Sequence, residues 1–394
     1  MRNAMNWIRN TLIVLATLTV SLGATEFGLR FFFPDKTSSE IRNHTDPYFP
    51  RHIAGTYADL RRNTLATFDH EGFRLNPNKC TSSVNATRVL IVGDSNIAAH
   101  YLNDTETLGT RLTQISSEFD NCIDVDSFGV SGFGPDQNFF AMKTLTEART
   151  YDYVIFSIFA DNDAGDLIRN NYFSNGSLVN DGYCYMQKPL LEQFVTYQAL
   201  RAGVLLIFGE MIGYGQPTAS NDGFECAAGI NSGTIFHESM IARAKLDWQL
   251  HNEDKRQVYM ADRYDIEFSC RLNLDAISYA NDAFSHIVTE GKELSENRGF
   301  QIIYLLQPSK EDVTRAPREI LNKVCPNYSP RALTKFFAKN LKDQLLVNLF
   351  NEFDGCSECY FTYDELGDDN HWSEYGINIA ANRLFKLIRS TARN

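Results

Sequence analysis

Two short stretches carry the residue types that could do chemistry. Gly93-Asp94-Ser95-Asn96 directly follows the apolar run Arg88 to Val92, and Asp368-Asp369-Asn370-His371-Trp372 lies near the other end of the chain. A serine hydroxyl is a weak nucleophile at neutral pH. It needs a base to take its proton and a third group to hold the base in one tautomer. Ser95, His371 and an acid three residues before it, Asp368, supply these types, with Asp369 as the alternative acid. Together they could transfer an acyl group through a covalent intermediate on Ser95. Attack on an ester carbonyl develops negative charge on oxygen, and preorganised donors there contribute roughly 3 to 4 kcal/mol each. Gly132 suits a backbone donor because a residue without Cβ lets the chain approach a substrate closely. Asn162 suits a side-chain donor because its amide donates without titrating.

These residues need elements to hold them. The run ending at Val92 reads as a buried strand, so Ser95 falls where a strand ends and a helix can begin. That is the carboxyl edge of a sheet, beside a helix N-terminus that favours negative charge. Phe128-Gly129-Val130-Ser131-Gly132-Phe133-Gly134-Pro135-Asp136-Gln137 follows a second short apolar strand, and Phe159-Ala160-Asp161-Asn162-Asp163 follows a third, Tyr153 to Ile158. Each block also has an ordinary reading. Gly-Asp-Ser is common turn chemistry; Gly129 and Gly132 could form only a tight turn, and Asn162-Asp163 only a helix cap. His371 could be a packed residue at the start of the last helix, where Ser373 and Glu374 serve as N-terminal residues. Four blocks in order, three of them directly after apolar runs, favour the catalytic reading.

In order and spacing the four blocks resemble the SGNH, or GDSL-type, hydrolase family. The resemblance covers roughly residues 70 to 163 and 300 to 385. It implies Ser95 as nucleophile, and the backbone N–H groups of Ser95 and Gly132 with the Asn162 side chain as an oxyanion hole. It also implies His371 as general base and, through the Asp-x-x-His spacing, Asp368 as its orienting acid. Glu71-Gly72-Phe73-Arg74 is similar to a lead-in of extracytoplasmic members. Asn96 stands where the name-giving leucine would be, and Ala160 where a glycine is usual. Leu305-Leu306-Gln307-Pro308-Ser309-Lys310 with His371-Trp372 partly resembles the alginate O-acetyltransferase-like members, which carry Pro-x-Lys; here Ser309 intervenes. The fold implied is a three-layer α/β/α sandwich, flavodoxin-like, with a mainly parallel five-stranded sheet. In such an order Cys80 and Cys122, each just before one of the first two strands, lie at the same sheet edge and could pair.

The N-terminus bears on compartment. Arg2 and Arg9 precede a run from Thr11 to Ala24 that is apolar apart from Thr, Ser and Gly. It has signal-peptide length and is short of the ~20 residues of a bilayer span. Residues 1–33 read as a cleaved signal peptide or a short signal anchor, which leaves 34–394 translocated. Eight cysteines, none at a proposed catalytic position, fit disulfides in an oxidising compartment. Cys184 with Cys226 is a further candidate pair, and Cys356-x-x-Cys359 reads as a structural disulfide, one C-x-x-C being weak evidence for zinc. A net charge of −12 argues against nucleic acid as a partner. No metal or organic cofactor is required by this chemistry.

The chain is longer than one small hydrolase domain needs, and the surplus lies between Asn162 and the next buried strand, Phe300 to Leu306. Gly165 to about Cys270 reads as an insertion over the catalytic edge that shapes the cleft, with Asn273 to Asn297 returning as a helix of the main sheet. The expected activity is that of an extracytoplasmic serine esterase acting on O-acyl esters, acetyl foremost, of a carbohydrate. An O-acetyltransferase modifying an envelope or secreted polysaccharide is the first alternative, since water or a sugar hydroxyl can resolve the same acyl-enzyme. A non-catalytic glycan-binding protein on the same fold is the second.

Overall fold

In the computed structural model the described residues are chiefly 51–119, 122–178, 268–313, 327–363 and 367–392, with short gaps inside those ranges, and a few positions near residues 17–25 and 42–43. Most of the segment read as signal or anchor, most of the span 165–270 and the pair Cys184–Cys226 lie outside them. Among the described residues no helix is long and apolar enough to cross a membrane. The chain divides into two compact units, Arg42–Tyr183 with Cys226–Asn394, and Met1–Ile41 with Cys184–Glu225. Every element named below belongs to the first.

A leading hairpin, β1 (Gly55–Asp59) and β2 (Thr64–Phe68), precedes the sheet strands β3 (Thr87–Gly93), β4 (Ile123–Gly129), β5 (Tyr153–Phe159), β6 (Gln301–Gln307) and β7 (Leu345–Asn348). The five sheet strands run in the order β7-β6-β5-β3-β4, all pairs parallel. This is the flavodoxin-like order, in which the chain reverses its direction of winding after the first sheet strand. Because side chains alternate along a strand, a sheet covered on both faces must be apolar at every position. Val89, Ile91, Ile155, Ile303 and Leu305 share a core with helices α2 (Leu108–Ser117) and α7 (Glu374–Thr391). Leu90, Val92, Val154, Phe156 and Tyr304 are equally buried on the other face. There α5 (Leu274–Arg298), against which α6 (Ala332–Asn340) packs Phe337 on Phe284, approaches closely at Gly291, where a Cβ would meet Ile302 and Tyr304 at 3.4 Å and Met142 of α3 (Pro135–Ala148) at 3.7 Å. The three layers are those the family resemblance implied, and the helix expected over 273–297 is α5.

Two features fasten the β4 edge of the sheet. Cys80 and Cys122 form a disulfide at the starts of β3 and β4, with Cα atoms 6.1 Å apart. Arg74, the last residue of the Glu71-Gly72-Phe73-Arg74 lead-in, is buried and ion-paired to Asp104. Its guanidinium also donates to the Leu102 carbonyl at 2.8 Å, and its backbone N–H donates to Ser127 O in β4 at 2.9 Å. One side chain thus ties the hairpin side of the molecule to the segment that follows the Ser95 turn.

Candidate active site

The Ser95 turn is assembled by close backbone contacts. β3 ends at Gly93, and the single-turn helix α1 (Ser95–Ala98) starts at once, capped by Asp94, whose Oδ1 accepts the Asn96 N–H at 3.0 Å. Ala99, in the left-handed region at φ 47°, ends the turn and donates its N–H to Ser95 O at 2.8 Å. A Cβ on Gly93 would lie 2.3 Å from Ile97 Cγ1, and one on Gly129 would lie 2.2 Å from the backbone N of Ala98. Glycine at both strand ends is what lets α1 lie against them. β3 stands between β5 and β4, so Ser95 sits at the point where the winding reverses, the usual ligand crevice of such sheets.

His371 comes from outside the sheet. β8 (Tyr360–Tyr363) and β9 (Gly367–Trp372) form an antiparallel hairpin between the 3₁₀ turn Ser357–Cys359 and α7. Trp372 is fully buried, its ring 5.3 Å from that of Phe353, and Ser373 caps α7 by accepting the Gly376 N–H at 3.3 Å. The turn before the hairpin is closed by the Cys356–Cys359 disulfide, Cα atoms 5.5 Å apart, and Cys359 O accepts the Ser373 N–H at 3.0 Å. Held this way, His371 places Nε2 3.0 Å from Ser95 Oγ, across 276 residues of sequence. The ring of Tyr101 lies 4.6 Å from the imidazole. Asp368 is on β9, paired through its backbone with Thr362; the register shifts between that pair and Tyr360–Trp372, so strict alternation is broken between Asp368 and His371. The side chains of Asp368 and Asp369 lie outside the described part of the structure.

The two other expected residues follow β4 and β5. Gly132 is exposed at φ +76°, with nothing within 4 Å of where its Cβ would be, a conformation glycine adopts without strain and a site open to a ligand. Asn162 is half-buried in the turn before α4 (Asp163–Asn170); its Nδ2 donates to Asp166 Oδ2 at 2.8 Å, which leaves the second N–H of the amide for another acceptor. The turn is held by Asp163, which accepts the Phe159 N–H at 2.8 Å, and by Ala160, whose N–H donates to Gln307 O at 2.9 Å. Ala160 needs no positive φ, so a side chain fits where the resemblance has glycine.

Three site residues escaped the sequence reading as participants. Asp94 is buried, its Oδ2 is 3.5 Å from Ser95 Oγ, and burial pushes its carboxyl up to about 6 against the opposing pull of the Asn96 N–H and of His371. Asn96 is fully buried and bridges to both Tyr101 and Trp372. Asn96 was visible as a departure from the family pattern; Tyr101 carried no signal. Among the described residues there is no group of three His, Cys, Asp or Glu side chains that could hold a metal ion.

Neither the family models nor the curated proteins contain a match to the sequence. Among solved structures, the chain is similar to the psychrotrophic esterase EstA from Pseudoalteromonas sp. (11% identity, 78% of this chain and 100% of the other, TM-score 0.37). It is likewise similar to TesA (10%, 77% and 99%, TM-score 0.37) and to a protein of the G-D-S-L family from Desulfitobacterium hafniense DCB-2 (11%, 76% and 99%, TM-score 0.32). At these identities and scores the functional reading rests on the chain's own geometry.

Proposed function

We propose that the protein is an SGNH-type serine ester hydrolase, extracytoplasmic, that removes O-acyl groups, acetyl foremost, from a carbohydrate. The observation that carries this reading is the 3.0 Å approach of His371 Nε2 to Ser95 Oγ at the reversal point of the sheet. A histidine brought from a separate hairpin to a serine at a strand-to-helix turn is the geometry of nucleophile and base.

In the proposed reaction Ser95 Oγ attacks the ester carbonyl while its proton passes to His371 Nε2. The carbonyl oxygen becomes an oxyanion, received by the backbone N–H groups of Ser95 and Gly132 and by Asn162 Nδ2, which Asp166 orients. The C–O bond to the alcohol breaks, and the imidazolium returns the proton to the departing oxygen. Water, deprotonated by His371, then attacks the acyl-enzyme and frees Ser95. Asp368 orients the ring and stabilises the imidazolium; the buried Asp94 carboxylate, its Oδ2 3.5 Å from Ser95 Oγ, adds negative charge at the serine end of the pair. The disulfides Cys80–Cys122 and Cys356–Cys359 support an oxidising compartment. A sugar hydroxyl in place of water would make the protein an O-acetyltransferase.

The test is turnover of para-nitrophenyl acetate by the chain and by Ser95→Ala, with and without an oligosaccharide acceptor. Ser95→Ala is expected to lose about 10⁴- to 10⁶-fold in kcat while keeping its fold. Serine-dependent release in water alone supports the esterase, and acetylated oligosaccharide supports the transferase. Equal rates for the two proteins would sink the nucleophile assignment.

A further inference from the structure

We propose that Asn96 is a positioning residue that locks the base onto the nucleophile. The inference rests on the serine-hydrolase reading and adds to it a part that the triad and oxyanion groups do not include. Asn96 is the covalent neighbour of Ser95, and Trp372 is the covalent neighbour of His371. The Asn96 Oδ1 accepts the backbone N–H of Trp372 at 3.3 Å, so one hydrogen bond ties the two reacting residues through the residue after each. The same oxygen accepts the Tyr101 O–H at 2.9 Å, and the Tyr101 ring rests 4.6 Å from the His371 ring, inclined at 45°. One carbonyl oxygen therefore sets both the height of β9 above α1 and the surface on which the imidazole lies.

The chemistry of the position makes this more than packing. Asn96 is fully buried, and an amide there carries a desolvation cost that an apolar side chain would avoid. Its Nδ2 is buried without a hydrogen-bond partner among the described residues, so the side chain is kept for its acceptor alone. Leucine, of nearly the same shape, accepts nothing; it would take this acceptor from the buried Trp372 N–H and from the Tyr101 O–H. Among the described residues β9 pairs only with β8, in a two-stranded hairpin apart from the five-stranded sheet, so its height is not set by the sheet's ladder.

The experiment follows labelling of Ser95 by a fluorophosphonate, which needs no knowledge of the natural ester. Ser95 Oγ forms the bond to phosphorus, fluoride leaves, and the serine proton goes to His371. The second-order labelling rate is measured across pH for the full chain, Asn96→Leu, Tyr101→Phe and the double variant, each with its melting temperature. Asn96→Leu is expected to label about 10- to 100-fold more slowly, on the alkaline plateau as well as on the limb, because distance and not protonation has failed. Tyr101→Phe, which removes only one of the two bonds, is expected to slow labelling by a few-fold, and the double variant to be no slower than Asn96→Leu. A purely structural role would lower the melting temperature and leave the folded molecules labelling at the parent rate at every pH; that result overturns the proposal. If Asn96→Leu does not fold, Tyr101→Phe decides: parent-like labelling overturns the proposal, and slowed labelling at an unchanged melting temperature upholds it. Absence of label on Ser95 in the parent chain would instead remove the serine-hydrolase reading, and the tether with it.

Discussion

The two halves of the proposed site are built by opposite means. Ser95 is held by the middle of the sheet: β3 is paired on both sides, and α1 is pressed against Gly93 and Gly129 with no room for a side chain. His371 is held by a hairpin outside the sheet, through buried Trp372, the cap of α7, the Cys356–Cys359 turn and the Asn96 bridge. A nucleophile at a strand-to-helix turn is placed by the fold itself, whereas a base on an appended hairpin must be placed by particular side chains. Damage to the first half should therefore cost stability, and damage to the second should cost activity before stability.

The sharpest way to break the first half is Gly129→Ala. A Cβ there meets the backbone N of Ala98 at 2.2 Å and the backbone C of Ile97 at 2.6 Å, neither of which can swing away as a side chain would. The expected outcome is a loss of about 3 kcal/mol or more in chemical denaturation, with activity falling in proportion to the folded fraction. Gly132→Ala provides the contrast. Its Cβ would touch nothing, so only the positive φ opposes it, and the expected cost is on the order of 1 kcal/mol. Equal losses for the two variants would show that Gly129 is not the contact that seats α1.

The second half is tested by Trp372→Phe, which keeps an aromatic ring against Phe353 but leaves a small void. The expected loss in stability is about 1 to 2 kcal/mol, and the expected loss in esterase rate is about 10-fold, because a sub-ångström shift of His371 is amplified in the proton transfer. Rate and stability measured on the same preparations would separate the two. A Trp372→Phe protein that loses stability but no rate per folded molecule would place the control of His371 in the Asn96 bridge alone.

The same division explains how much of the molecule is legible in its sequence. Strands with both faces buried announce themselves as nearly continuous apolar runs, so Arg88–Val92, Tyr153–Ile158 and Phe300–Leu306 mark the sheet, and the residues after each run mark its functional edge. The helix Leu274–Arg298 and the Cys80–Cys122 pairing follow from the same order of strands. Asn96 and Tyr101 are not legible as partners because their meaning depends on Trp372, some 270 residues away, and only the folded hairpin brings that N–H to them. Asp94 reads as part of a motif, not as a charge, since burial is a property of the packed turn and not of the triplet Gly-Asp-Ser.

The effect that probes where the halves meet comes from Asp94, and it shows only as a dependence on pH. Its carboxyl is pushed up to about 6, above the ordinary value near 3.9, because burial disfavours the charged form more than the Asn96 N–H and His371 favour it. The folded protein therefore keeps a proton that the unfolded chain gives up as pH rises past about 4. By linkage the neutral carboxyl's contribution to stability is complete below about pH 4, is lost as pH rises to about 6, and stays absent above that, a change on the order of 2 to 3 kcal/mol. Asp94→Asn retains a capping oxygen for the Asn96 N–H and removes this titration. Melting curves of both proteins from pH 4 to 8 should show Asp94→Asn gaining on the parent as pH rises through 4 to 6, with the gap constant thereafter. The rate should move the other way. Above pH 6 the parent carries a negative charge beside the Ser95–His371 pair that the variant lacks, so the parent's advantage in turnover should grow over the same interval. A stability gap independent of pH would mean that Asp94 is already charged in the folded protein at pH 4, and that the turn holding Ser95 is less dry than its burial implies.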